Sequence, residues 1–136
     1  MKRLHLFLTV LAVIIGCLGA HAEKYNFQAS AFCARTYNKY RHSWNDWSNW
    51  EPSTVYLSVD GDNNKITIYS ETAQVYRIYR TDNPTTDRNG DSTMTLKVKD
   101  QDGNLGTIYW VKRANGSTEV YIYYSSVAWA YTIDYM

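Results

Sequence analysis

The chain has 136 residues, with 14 basic against 13 acidic side chains and an aromatic content of 15%. So even a balance supplies no overall basic field, which argues against nucleic acid or an anionic membrane surface as partner. Two cysteines and a length suited to one core exclude a disulfide-built scaffold and a second domain.

The chain opens on Met1-Lys2-Arg3, a short positive stretch, followed by a run over 4–19 that is apolar apart from His5 and Thr9. Ala20-His21-Ala22 then supplies a small-x-small cleavage site, and polar Glu23-Lys24 follows at once. The run is short for a membrane span, which takes about twenty apolar residues, so 1–22 is predicted to be a cleavable signal peptide and 23–136 the mature domain. The product is expected to be exported, periplasmic or secreted, with no transmembrane segment in the mature chain. An alternative processing is visible in Ile14-Ile15-Gly16-Cys17, which resembles the bacterial lipobox and implies a lipid anchor on Cys17.

Removal of 1–22 takes Lys2 and Arg3 away, leaving 12 basic against 13 acidic residues and a formal charge of about −1. Cys33 is then the only thiol, so no intrachain disulfide can form and the domain must rely on apolar burial and complete strand pairing. All 13 tyrosines and all 5 tryptophans belong to the mature part.

The first predicted strand alternates Tyr25, Phe27, Ala29, Ala31 and Cys33 against Asn26, Gln28 and Ser30. The stretch 37–52 has no clear period. From Thr54 onward one unit repeats, an alternating run followed by a turn signal. Val55, Leu57 and Val59 lead through Asp60-Gly61-Asp62-Asn63-Asn64 into Ile66 and Ile68; 73–80 follows, then a polar stretch over 82–91, expected to be the largest loop of the meander. Met94, Leu96 and Val98 alternate with Thr95, Lys97 and Lys99, fixing one face inward. The runs 105–113 and 118–124 flank Asn115-Gly116, the strongest hairpin signal, and Val127, Trp129, Tyr131, Ile133 and Tyr135 form the eighth. No long 3.6-residue apolar stripe is present. The expected fold is therefore all-β: a single small domain of about eight antiparallel strands in a meander.

A closed barrel is preferred over a two-sheet sandwich. No charge occurs between Glu119 and Asp134, and Val120-Tyr121-Ile122-Tyr123-Tyr124 left on an open edge would recruit other chains. Such a barrel resembles the calycins, whose lipocalin members bind small apolar molecules within eight antiparallel strands. The Gly-x-Trp pattern of the lipocalin N-terminus is absent here, so the resemblance extends to architecture alone. A membrane barrel would need a lipid face apolar all round, which Thr95, Lys97 and Lys99 break.

Two aromatic patterns are candidate sites. Trp44-Asn45-Asp46-Trp47-Ser48-Asn49-Trp50 spaces three indoles by three residues, which a short helical turn would bring to one side; indole faces cover sugar rings or apolar ligands, and nearby Tyr40 could assist. The bland alternative is that this turn plugs one barrel end with core tryptophans. Second, Tyr56, Tyr69, Tyr121 and Tyr123 lie opposite the aliphatic faces of their strands and would form an outer tyrosine face able to meet a protein or glycan, or simply paired ladders stabilising the sheet.

Other chemistry is sparse. Asp60, Asp62, Asn64 and Glu71 fall at calcium-loop positions, but Lys65 stands where the loop needs glycine; this and Asp100-Gln101-Asp102-Gly103-Asn104 read as hairpin turns. Cys33 and His42 are too poorly placed to suggest a nucleophile and base. No catalytic residue, metal site or cofactor is expected. The expected function is a non-catalytic exported binding module for a glycan or small apolar ligand using Trp44, Trp47, Trp50 and Tyr40. The alternative is an envelope or extracellular protein-interaction module using the tyrosine face.

Overall fold

The computed structural model describes residues 24–136; the expected signal peptide 1–22, its expected cleavage site and Cys17 lie outside the described residues. The alternating runs become strands β1 (Lys24–Asn38), β4 (Tyr56–Asp60), β5 (Lys65–Tyr69), β6 (Gln74–Thr81), β8 (Ser92–Asp100), β9 (Leu105–Lys112), β10 (Thr118–Tyr123) and β11 (Val127–Tyr135). Three two-residue strands accompany them: β2 (Ser43–Trp44), β3 (Glu51–Pro52) and β7 (Thr85–Thr86). The described residues contain no helix, and the eight long strands follow one another antiparallel in the order β1-β4-β5-β6-β8-β9-β10-β11.

The last strand pairs with the first, from Phe27↔Tyr135 to Thr36↔Val127, which closes the sheet into a barrel and removes the edge that β10 and β11 would otherwise expose. Closure is permitted by the turns: Asn64 and Gly116 adopt positive φ (50° and 95°), as the tight connections β4–β5 and β9–β10 require. The 82–91 stretch is folded back on the barrel, with Thr85↔Thr93 and Thr86↔Ser92 pairing β7 to β8.

An eight-stranded barrel is just wide enough for side chains to fill. Here Tyr25, Phe27, Tyr76, Leu57, Met94, Leu96, Ile108 and Trp110 do so, all fully buried. Trp110 meets Phe27 edge-on, with ring centroids 5.0 Å apart. The aromatic plug of this barrel is thus Trp110, supplied by β9, and the tryptophan triplet takes no part in the core cluster.

β1 departs from the simple alternation. Its register against β11 shifts between Ala29 and Ala31, a bulge that resets which residues face inward. Tyr25, Phe27 and Ala29 belong to the core, but beyond the bulge Phe32 packs against it, while Cys33 is buried outside it. The expectation of one continuous face through Ala31 and Cys33 is corrected accordingly. The bulge also marks a change of partner: the first half of β1 pairs with β4, the second with β3 and β2 through Ala31↔Pro52 and Tyr37↔Trp44. The 39–55 stretch, which holds most of the aperiodic 37–52 segment, is therefore an excursion laid along the edge that β4 leaves free, with Pro52 on its outermost strand, where a missing N–H costs nothing.

Candidate functional site

Residues directly opposite each other in an antiparallel sheet share a face. On the outer side of β11, Ala130 stands between Cys33 of β1 and Tyr121 of β10, and Ala128 between Arg35 and Tyr123. The same rows continue onto β9, where Tyr109 pairs with Tyr121. These alanines face away from the core cluster, yet both are 0% exposed. Something must cover them.

The cover is the excursion. Asn45 N donates to Thr36 O at 2.9 Å and Ser48 N to Ala34 O at 2.8 Å, while Ala34 N donates to Ser48 Oγ at 2.9 Å. Asn38 starts the excursion by accepting from the backbone N–H groups of Tyr40 and Arg41, a side-chain-closed turn. Thus anchored, Trp47 meets Tyr121 at 5.6 Å and Tyr123 at 6.1 Å, and Arg35 at 4.5 Å from its ring centroid. Since β11 lies between β1 and β10, the Trp47 indole spans β11 above the two alanines. Trp44 stands beside it, 5.3 Å from Tyr123 and 5.4 Å from Tyr37.

Every one of these ring pairs is edge-on, with interplanar angles from 68° to 90°, the geometry favoured by the aromatic quadrupole. Tyr109 joins through Tyr123 at 5.5 Å and 83°. At the centre the Arg35 guanidinium lies within 5.4 Å of three ring centroids, those of Trp47, Trp44 and Tyr123, and donates to the Tyr123 hydroxyl. Its Nε is buried without a hydrogen-bond partner, and it forms no ion pair among the described residues. Arginine is suited to this because its flat, weakly hydrated cation tolerates ring faces better than an ammonium does.

The upper border is polar and paired. Tyr121 donates its hydroxyl to Glu119 at 2.7 Å and accepts from Arg113 at 2.9 Å, and Arg113 also bonds Asp91. Burial, with the Glu119 hydrogen bond, pushes the Tyr121 phenol up to about 12. Burial, followed by the Glu119 charge, likewise pushes the Cys33 thiol up, which keeps it in the unreactive protonated form. Between these side chains lies a shallow groove of 500 Å³ lined by Trp44, Thr93, Tyr109, Val111, Tyr121 and Tyr123.

Of the residues singled out in the sequence, Trp44, Trp47, Tyr121 and Tyr123 meet here. Trp50 does not: no helical turn forms at 44–50, and Trp50 stands 45% exposed just before β3, with no ring contact to the other two. Tyr40 is 83% exposed at the tip of the excursion, its ring near Lys39 Nζ. Tyr56 and Tyr69 do face outward, directly paired across β4 and β5 and about half exposed. However, β5 is four strands from β10 in either direction around the barrel, so the outer tyrosines form two patches rather than one. Asn45, between the first two indoles, is engaged with Thr36 and Arg41.

Arg35 and Tyr109 were not foreseen. Tyr109 was readable, since it alternates with buried Ile108 and Trp110. Arg35 was not, because its outward direction depends on the bulge.

A second concavity, 520 Å³ in volume, opens at one end of the barrel around Gln74, Tyr76, Asp100, Tyr124 and Trp129. Most of its polar groups pair with one another, while the Trp129 Nε1 is buried without a hydrogen-bond partner. Tyr76 donates to Gln74 at 2.7 Å and Tyr124 to Asp100 at 2.7 Å, and the Tyr124 ring stacks on Trp129. The Tyr124 bond is the chief cause holding the Asp100 carboxyl below its usual range. The acidic turns are likewise self-contained: Asp60 accepts from Asn63, and Asp100 from the N–H groups of Asp102 and Asn104. No cluster of three or more His, Cys, Asp or Glu side chains able to hold a metal occurs among the described residues. No described helix is long and apolar enough to cross a membrane.

No family model, curated protein or solved structure matches this chain.

Proposed function

We propose that the protein is an exported, non-catalytic glycan-binding module whose site is the aromatic outer wall around Trp44, Trp47, Tyr109, Tyr121 and Tyr123. The observation that carries this reading is the open 500 Å³ groove bordered by rings from three separate parts of the chain. Rings fixed edge-on by neighbours lose little freedom on binding, which favours affinity. A shallow groove edged with tyrosine hydroxyls suits a sugar chain, whose rings are apolar on their faces and polar at their edges. A small apolar ligand is less well served, because the barrel interior is occupied by Trp110 and its neighbours. The Tyr56–Tyr69 pair supports a second reading, contact with another protein through the opposite wall.

Titration against a panel of polysaccharides, followed by tryptophan fluorescence, tests the proposal, because Trp44 and Trp47 stand at the site. Tyr109→Ala should weaken the bound glycan about tenfold, within the usual cost of losing a binding-surface aromatic, while the melting temperature stays near that of the parent. Binding unaffected by Tyr109→Ala, or no fluorescence response to any glycan, would remove the groove from consideration.

A further inference from the structure

The register places cations on the outer wall in a way the total charge hides. Lys65, Arg77 and Lys99 stand directly opposite one another on β5, β6 and β8, and Lys97 stands opposite Arg80 on the same two strands. Lys65, Arg77, Lys97 and Lys99 alternate with core residues (Ile66, Tyr76, Ile78, Leu96 and Val98) and so face outward, and the register shift after Ile78 sets Arg80 opposite outward Lys97. Like charges directly opposed across strands destabilise a sheet, and here three such pairs adjoin. Compensation is slight: of these five cations only Arg80 has an ion pair among the described residues, with Asp82 at 3.1 Å, and Lys97 Nζ is held by the Thr107 hydroxyl. Asp60, opposite Lys65, is turned into its own loop by Asn63.

This ladder is continuous with the aromatic wall. One cross-strand row runs Arg35, Ala128, Tyr123, Thr107, Lys97 and Arg80, one residue from each of β1, β11, β10, β9, β8 and β6. At about 4.8 Å per step the row covers roughly 24 Å, far more than one sugar ring. A second groove, of 330 Å³, shares Tyr109 and Tyr123 with the first and carries Tyr79, Arg80, Lys97 and Thr107 on its other side. The two grooves thus flank a single tyrosine ridge, aromatic on one side and cationic on the other.

We infer that the glycan is a carboxylate-bearing polysaccharide, lying across the Tyr109–Tyr123 ridge with its sugar faces on the aromatic groove and its carboxylates on the Lys97–Arg80 and Lys65–Arg77–Lys99 ladder. This rests on the glycan reading of the groove. Charge complementarity selects a polyanion, and a single cation per strand in each row matches a chain with one charge per sugar better than a densely sulfated one. Nucleic acid fits less well, because the rings are locked edge-on and leave no parallel pair between which a base could be sandwiched.

The test compares polygalacturonate, dextran, dextran sulfate and a single-stranded oligodeoxynucleotide as ligands for the full mature chain, at low salt and at about 0.3 M, where screening is strong. The expected order places polygalacturonate first, with at least a tenfold loss at the higher salt. Arg77→Gln/Lys97→Gln/Lys99→Gln should weaken it a further tenfold or more and melt no lower than the parent, since the substitutions relieve repulsion. Dextran bound as tightly as polygalacturonate, or affinity unmoved by the triple variant, overturns the inference while leaving the glycan reading in place. Preference for dextran sulfate overturns the carboxylate assignment, and preference for the oligonucleotide makes the wall a nucleic-acid site. Binding of none of the polysaccharides overturns both the inference and the reading beneath it.

Discussion

The two faces of β10 and β11 use similar residues to different ends. Inward, Val120, Ile122, Tyr131 and Ile133 are buried in the barrel core with Trp110. Outward, Tyr121 and Tyr123 rise beside Ala128 and Ala130, and Trp47 lies over the alanines. The inner layer is continuous and apolar, so its rings hold the fold. The outer layer is a small second core, half-buried and centred on a cation rather than an aliphatic cluster. It covers two alanines and a thiol but leaves ring edges and hydroxyls in an open groove. The contrast teaches that aromatic content alone does not identify a core; what matters is whether small residues opposite leave space that the rings must fill.

The two layers should respond differently to the loss of one indole each. Trp110→Ala should cost about 3–5 kcal/mol, much of a small domain's stability, and lower the urea midpoint accordingly. Trp110→Phe should retain most of that stability, because the indole N–H is buried without a partner and its removal relieves a cost. Trp47→Ala should cost less, about 1–2 kcal/mol, since the ring is half-buried and only shields Ala128 and Ala130. Equal losses at Trp110 and Trp47 would make the outer layer part of the core and weaken its assignment as a binding wall.

Smaller effects should come from pH. Asp91 and Asp60 are held below their usual range chiefly by the Ala114 N–H and by the Asn63 side chain respectively, and Asp100 by Tyr124. A depressed carboxyl contributes stability that is fully present above its unfolded value, about pH 4, and is lost as pH falls through the lower folded value. The melting temperature should therefore be flat from pH 7 to about 4 and decline below. At the alkaline end the signs reverse: Tyr121 and Tyr124 are pushed up to about 12, by burial first and then by Glu119 and Asp100. Their stabilising contribution is complete below about pH 10 and drains away between there and about 12. A spectrophotometric phenol titration should show Tyr121 and Tyr124 ionising late, at about 12. Tyr121 ionising at the ordinary phenol value would mean that the outer layer is looser than the structure places it.

The eight barrel strands were legible because period-two alternation runs through most of each and turn-tolerant residues end them, and closure because a β-prone C-terminal pair with no charge between Glu119 and Asp134 cannot be left on an edge. Alternation is a local property, and a single strand carries it whole. The outward direction of Tyr56, Tyr69, Tyr121 and Tyr123 followed from the same rule. Which of them are neighbours did not, because that depends on strand order around a closed ring, which set Tyr69 four strands from Tyr121. The bulge after Ala29 has no marker in composition, yet it turned Cys33 and Arg35 outward and freed the edge of β1 for the excursion. Placement of Trp44 and Trp47 against Tyr123, of Arg35 among all three, and of five cations in opposed pairs on β5, β6 and β8 was decided only by register, where residues tens of positions apart in the chain become adjacent. Alternation marks the apolar side of a strand locally, whereas the makeup of the outer wall depends on which strands the closed barrel makes neighbours.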